Sequence, residues 1–355
     1  MRAPILTEQH RLYLEPLDLT WGPAASRARR LHGALPLMGG AAAAAAVAVW
    51  RPGAPVLRQE MTAGALPDWL GALDEGEASR ARAIIAAWAM PRRFPGLHGS
   101  GPALMGVVNV TTDSFYPGSR RPTTEAALHE AAKAADEGAA ILDIGGQSTR
   151  PQSGPVSWER ELEAVLPVID AARGLGAAIS VDTLRPEIAA AGAQAGADIV
   201  NDISGLLPEA AVGRAALIIG DMRGNPATMQ RWPRTAHGVF DTYRRLEARV
   251  EACLASGLPR ARIAIDPGFG FGKSVAHNQS LIHHLPLFLG LGVAIALGVS
   301  RKGSLGFLSG TARAEDRLPA SLAAALAAVR GGASILRVHD VAATRQMLHV
   351  SQSFG

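Results

Sequence analysis

Eight apolar, strand-like runs alternating with helical stretches over about 250 residues predict an α/β protein built on a (β/α)8 TIM barrel. Two further observations support that class. Each run ends in polar residues, as expected where the strand ends of a closed parallel barrel converge on one working face. No glycine-rich turn follows the first run, which disfavours the alternative, a doubly wound open sheet. A small N-terminal region of uncertain fold precedes the barrel, so the sequence divides at residues 1–95 and 96–355.

Residues 1–95 hold Trp21, Trp50, Trp69 and Trp88. Arg11 to Leu19 reads as a strand. Glu77 to Met90 reads as a helix, with Ala81, Ile84, Ile85 and Trp88 at helical spacing on a core-facing side. Leu35 to Trp50, LPLMGGAAAAAAVAVW, is shorter than the roughly 20 residues a membrane-spanning helix needs, and it reads as a buried or low-complexity segment. Pro91 and the Arg-Arg-Phe-Pro-Gly run after it look like a linker. The barrel runs follow at 103–110, 139–146, 177–183, 198–204, 215–222, 262–266, 292–300 and 333–340. Helical periodicity falls between them at 124–137, 158–173, 186–195, 243–256 and 315–330.

Composition bounds the function. A chain of 355 residues with 48% hydrophobic and 19% charged residues can bury a large core. The formal charge is +4, but only Lys133, Lys273 and Lys302 are lysine and no basic run is long enough for a nucleic-acid stripe. No nucleic-acid or membrane partner is expected, and small-molecule substrates are. Glu8, Glu15 and Asp18 interrupt the place where the apolar core of a secretory leader would lie. Cys253 is the only cysteine, so no disulfide forms within the chain, which points to a reducing, cytoplasmic setting.

The most heavily punctuated stretch is Arg262 to Ser274, RIAIDPGFGFGKS. Its strand ends at Asp266, and Gly268, Gly270 and Gly272 then permit tight turns or close backbone approach. Its glycine spacing is one residue short of a phosphate-binding P-loop. Asp182, Asp266 and Asn201, at three strand ends, offer acceptors and an amide suited to a flat heterocycle rich in N–H donors, and Lys302 suits a ring carbonyl or nitrogen. Arg150, Arg337, His339 and Asn109 suit a phosphate or pyrophosphate. Together they suggest an activated heterocycle with an anionic leaving group. No His/Cys/Asp cluster has zinc-like spacing, so an associated metal would be Mg2+ held through the phosphate. Two loops, NVTTDSFYPG from Asn109 and GGQSTRP from Gly145, are placed to cover a substrate.

MGVVNVTTDSF, DIGGQSTRP, ISVDT, IVNDISG, MRGNPATMQ, IDPGFGFGK, GVSRKG and RVHDV stand in this order between about Pro102 and Leu348. Together they resemble the dihydropteroate synthase family of pterin-binding barrels. The resemblance implies condensation of 6-hydroxymethyl-7,8-dihydropterin diphosphate with 4-aminobenzoate, giving 7,8-dihydropteroate and pyrophosphate in folate biosynthesis. By position it assigns Asp182, Asn201, Asp266 and Lys302 to the pterin. It assigns Thr149, Pro151, Phe271 and Lys302 to the aminobenzoate, and Asn109, Arg150, Arg337 and His339 to the diphosphate. Asn109 is also the metal residue, for Mg2+. Arg150, Asp182, Lys302, Arg337 and His339 are the expected catalytic set, acting by electrostatic stabilisation of a departing diphosphate and a pterin methylene cation. A homodimer and sulfonamide sensitivity are implied as well.

The chain departs from the family pattern at Thr112, where proline is usual, and at Gln147, where glutamate is. Gly220 and Asp221 replace a Met-His pair, which removes an apolar pterin contact, and Gly303 replaces a serine near the aminobenzoate carboxylate. Two other readings stay open at this stage: a pterin-binding methyltransferase domain and a non-catalytic pterin-binding paralogue.

Overall fold

Short runs of apolar residues closed by a carboxylate, amide or glycine become eight parallel strands that shut into a barrel in the computed structural model of the chain. The structure describes residues 12–51, 56–99, 101–110, 122–146, 157–224 and 238–353. The barrel strands are β5 (Ala103–Asn109), β6 (Ile141–Gly145), β7 (Ala178–Asp182), β8 (Ile199–Asp202), β9 (Ala216–Gly220), β10 (Ile263–Asp266), β11 (Ala294–Leu297) and β12 (Ile335–Val338). Each pairs in parallel with its sequence neighbours, and β12 closes on β5.

The expected helices appear as α4 (Pro122–Asp136), α5 (Trp158–Ala172), α6 (Pro186–Ala195), α7 (Gly238–Ala255) and α10 (Leu318–Arg330). Three more escape the periodicity: α8 (Val275–His283), α9 (Gly303–Ser309) and α11 (Val341–Ser353). The first is started by a local signal, the Ser274 hydroxyl accepting the His277 N–H at 3.2 Å. The second is two turns long and carries glycine at its first and fourth positions, which hides it from any propensity argument.

The N-terminal region is an antiparallel sheet with helices. It comprises β1 (Tyr13–Trp21), α1 (Gly22–His32), β2 (Leu35–Leu37), β3 (Ala42–Arg51), β4 (Leu57–Thr62), α2 (Leu66–Gly71) and α3 (Glu75–Ala89). The alanine-rich segment is therefore its central strand. β3 pairs with β1 along one edge; β2 lies opposite Ala42–Ala44 and β4 opposite Ala46–Arg51 along the other. Alanine is a weak strand former, and pairing on both edges overrides that preference. Asp74 caps α3 by accepting the Glu77 N–H at 2.9 Å.

This region leans on the side of the barrel. Tyr13 packs its ring 5.1 Å from Phe240 and 5.3 Å from Tyr243, both on α7. Arg80 pairs with Glu247 at 3.0 Å, and Glu15 accepts from Trp50 at 2.9 Å and meets His284 at 3.0 Å. The passage after α3 differs from the linker expected of Pro91 to Gly96. Arg92 donates to the Leu289 carbonyl at 2.9 Å. Phe94 is buried with Met105, Ile141, Ile218, Ala264 and Ile335, which places it in the floor of the barrel at the strands' N-terminal ends. Pro91 ends the helix as its composition implies, but an apolar ring three residues later, Phe94, finds a core.

Candidate functional site

At the opposite end of the barrel, strand register brings the carboxylates together. Asp182 and Asn201 are register partners on β7 and β8, and Asp143 stands opposite Ser180 between β6 and β7. Asp143 is fully buried and its oxygens are saturated: it accepts from Ser180 Oγ at 2.7 Å, Asn201 Nδ2 at 3.2 Å and Arg337 Nε at 2.6 Å. The same guanidinium gives its Nη2 to Asp182 at 2.5 Å. Burial works against the charge on Arg337, and Asp143 with Asp182 outweigh it, so the arginine stays protonated.

Asp182, Asn201, Ile203, Asp266, Phe271, Gly298, Lys302 and Arg337 line one recess on this face. Burial pushes the Asp182 carboxyl up to about 7, against the pull of Arg337 and with help from Asp143. Asp266 is raised in the same direction by burial, opposed by Lys302 and by the Gly268 N–H that its Oδ1 accepts at 2.7 Å. Burial lowers the Lys302 ammonium to about 7, with Asp266 opposing. Its Nζ donates to the Phe269 carbonyl and lies 3.9 Å from the centroid of the Phe271 ring. The recess thus combines two carboxylates, an amide, an ammonium and an aromatic wall, a set that can read the edge of a flat, N–H-rich ring.

Of the residues expected from sequence, Asp182, Asn201, Asp266, Lys302, Arg337 and Phe271 are brought together here. Asn109 and His339 lie outside the recess, exposed just past neighbouring parts of the rim: Asn109 at the end of β5 and His339 one residue past β12, which pairs with β5. His339 Nδ1 is 3.0 Å from Ser300 Oγ. Thr149, Arg150 and Pro151, with Thr112 and Gln147, lie outside the described residues. Arg337, expected on the diphosphate, lines the recess but is engaged by Asp182 and by the sealed Asp143.

Ending a strand on this face does not by itself bring a polar residue into the recess. Asp202 accepts from the Ser204 and Leu207 N–H groups at 2.9 and 2.8 Å, holding its own turn. Arg301 pairs with Asp340. Asp221 turns to α7, accepting from Arg245 at 2.6 and 2.7 Å and from Thr242 at 3.1 Å. Conversely, Asp143 had no role assigned from sequence although it orients two residues of the recess. Its signal was a carboxylate in the middle of an apolar strand, which burial makes costly unless it is paired.

Among the described residues no three His, Cys, Asp or Glu side chains gather to hold a metal. Asn109 offers a single exposed amide oxygen, a donor set that fits Mg2+ carried in on a diphosphate rather than caged by protein. No helix among the described residues is long and apolar enough to cross a membrane.

The family model described as pterin binding enzyme matches residues 105–339, the part of the chain that forms this barrel and its recess. Dihydropteroate synthase of Neisseria meningitidis serogroup B is 44% identical over 265 residues, covering 72% of this chain and 93% of the relative. That of Escherichia coli K12 is 38% identical over 260 residues, covering 72% and 92%. Among solved structures, Xanthomonas albilineans dihydropteroate synthase with 4-aminobenzoic acid superposes with a TM-score of 0.66 at 42% identity, covering 72% of this chain and 93% of that one. The same enzyme in complex with 7,8-dihydropteroate gives 0.63 at 41% identity, covering 72% and 94%. The chain belongs to the dihydropteroate synthase family and is a transferase.

Proposed function

We infer that the chain condenses 6-hydroxymethyl-7,8-dihydropterin diphosphate with 4-aminobenzoate, giving 7,8-dihydropteroate and pyrophosphate. The observation that supports this reading best is the convergence of Asp182, Asn201, Asp266, Lys302 and Arg337 on one recess. Neighbouring structures hold 4-aminobenzoic acid and 7,8-dihydropteroate, which are the second substrate and the product.

In this reading Asp266 and Asp182 accept ring N–H groups and Asn201 and Lys302 complete the ring's edge. The methylene C–O bond breaks with its electron pair leaving on the diphosphate, and the ring cation is stabilised by the buried carboxylates. The arylamine nitrogen then forms the C–N bond and gives up a proton to solvent. By their place in the family pattern, Arg150, His339 and Asn109 are assigned to the diphosphate, and Thr149, Pro151, Phe271 and Lys302 to the aminobenzoate. Mg2+ would neutralise the diphosphate, with Asn109 supplying its one protein oxygen. Residues 1–95 are an accessory region outside the chemistry, and 96–355 the catalytic unit. The same reading includes a cytoplasmic homodimer and inhibition by sulfonamides competing with aminobenzoate.

The test is turnover. Purified protein given pterin diphosphate, 4-aminobenzoate and Mg2+ is expected to release pyrophosphate and dihydropteroate in equal amounts. Pterin binding without turnover would favour the non-catalytic paralogue instead, and methyl transfer from a methylated folate would favour the methyltransferase.

A further inference from the structure

The stretch from Pro267 to Gly272 is held by two lysines from opposite sides. Lys302 takes the Phe269 carbonyl from the recess side. Lys273 takes the Gly268 carbonyl at 3.0 Å from behind. The Lys273 side chain is entirely buried; its Nζ also meets the Asp221 carbonyl, the Asp221 carboxylate at 3.0 Å and, at the limit of reach, the Phe271 carbonyl at 3.5 Å. An ammonium has three N–H donors and no acceptor, so the three nearer oxygens, two from Asp221 and one from Gly268, saturate it. Asp221 is in turn gripped by Arg245 and Thr242 from α7.

The glycines make such close clamping possible. A Cβ on Gly268 would fall 2.0 Å from the Asp221 carbonyl oxygen, and one on Gly272 2.0 Å from that of Arg223, at φ of +73° and +66°. The cost is a backbone with little conformational preference of its own. Yet this backbone carries two walls of the recess. Asp266 is oriented by the Gly268 N–H, and Phe271 lies between the Gly268 carbonyl, which accepts its N–H at 3.1 Å, and the Arg223 N–H, which donates to its carbonyl at 3.3 Å.

We propose that Lys273, anchored on Asp221, is a positioning residue for the ring-binding half of the site, fixing the glycine turn so that Asp266 and Phe271 keep their places. This rests on the dihydropteroate synthase reading. It also accounts for the aspartate at position 221, where the family pattern has histidine, because that carboxylate joins the turn to α7, the helix on which the N-terminal sheet rests.

The experiment compares the full-length wild type with Lys273→Met and with the double variant Asp221→Asn/Lys273→Met, which removes both halves of the buried pair. Binding of 6-hydroxymethylpterin without a diphosphate and of Mg2+-pyrophosphate is measured separately on each, alongside thermal melting. The ring ligand is expected to lose at least tenfold in affinity in both variants, with pyrophosphate held within about threefold. Unchanged pterin affinity in a folded variant overturns the proposal, and so does an equal loss for both ligands, since general loosening would not distinguish ring from phosphate. If Lys273→Met does not fold, the double variant decides by the same ratio. A wild type that binds neither ligand sinks the functional reading instead.

Discussion

One Arg337 guanidinium joins Asp182, 2.5 Å from its Nη2, to Asp143, 2.6 Å from its Nε. Two strand-end carboxylates thereby share a cation, and they differ in consequence. Asp143 is sealed, whereas Asp182 faces the recess. Only the second is free to meet a substrate.

Asp182 holds its proton up to about pH 7 in the folded chain, well above an unfolded carboxylate. A ring N–H needs the ionised form, so binding of 6-hydroxymethylpterin is expected to strengthen as pH rises through about 7. The acid limb should vanish in Asp182→Asn, and a limb that survives there would assign the titration elsewhere. Stability has the opposite sign. Between the ordinary carboxylate range and about pH 7 the folded chain holds a proton that the unfolded chain has released, so this group lowers stability as pH rises through that window. Lys302, lowered to about 7, acts in reverse: from there up to the ordinary lysine range it makes the fold more stable as pH rises.

Asp143→Ala is expected to cost about 3–5 kcal/mol, because it takes from Arg337 one of its two carboxylates and leaves the buried Ser180 hydroxyl and Asn201 amide without the acceptor they share. Thermal unfolding measures this. A loss below about 1 kcal/mol would mean that Arg337 finds full compensation in Asp182.

Gly303→Ser should be accepted without strain, since a Cβ there meets nothing within 4 Å and the residue opens α9. A hydroxyl hydrogen bond is worth about 0.5–1.5 kcal/mol, which corresponds to about a two- to twelvefold lower KM for 4-aminobenzoate. Steady-state kinetics with saturating pterin diphosphate checks it. No change would place the aminobenzoate carboxylate away from the start of α9.

Deleting residues 1–95 removes Phe94 from the barrel floor and bares Tyr243 and Phe288, which are now fully buried. Loss of one such aromatic alone costs about 3–5 kcal/mol. The truncated barrel is expected to melt far lower or to aggregate, while any folded fraction keeps its pterin affinity, because no described N-terminal residue lines the recess. A soluble, fully stable truncation would contradict the packing described here.

The barrel was legible because its strands are apolar runs ended by chemistry-bearing residues, and a parallel barrel gathers strand ends without needing any loop detail. For the same reason Asp182, Asn201, Asp266, Lys302 and Arg337 could be placed on one face from their positions alone. Direction within that face was not legible. Asp202 and Asp221 end strands just as Asp182 does, and only three-dimensional neighbours show that one caps its own turn and the other faces α7. The alanine strand β3 was hidden for a different reason: its structure comes from partners on both edges, which no local window contains. The glycine spacing before Lys273 already spoke against a phosphate loop, but only the structure shows that its donors are spent on backbone and on Asp221.

The contact between Glu15 and His284 joins residues 269 positions apart. During synthesis at about 5–20 residues per second, β1 would wait roughly 15 to 50 s for the surface it covers. Until residues 238–255 have been made, the face of the N-terminal sheet that carries Tyr13 and Trp50 is without α7. An apolar sheet face that stays uncovered while most of the barrel is still being made is where the nascent chain is exposed to aggregation.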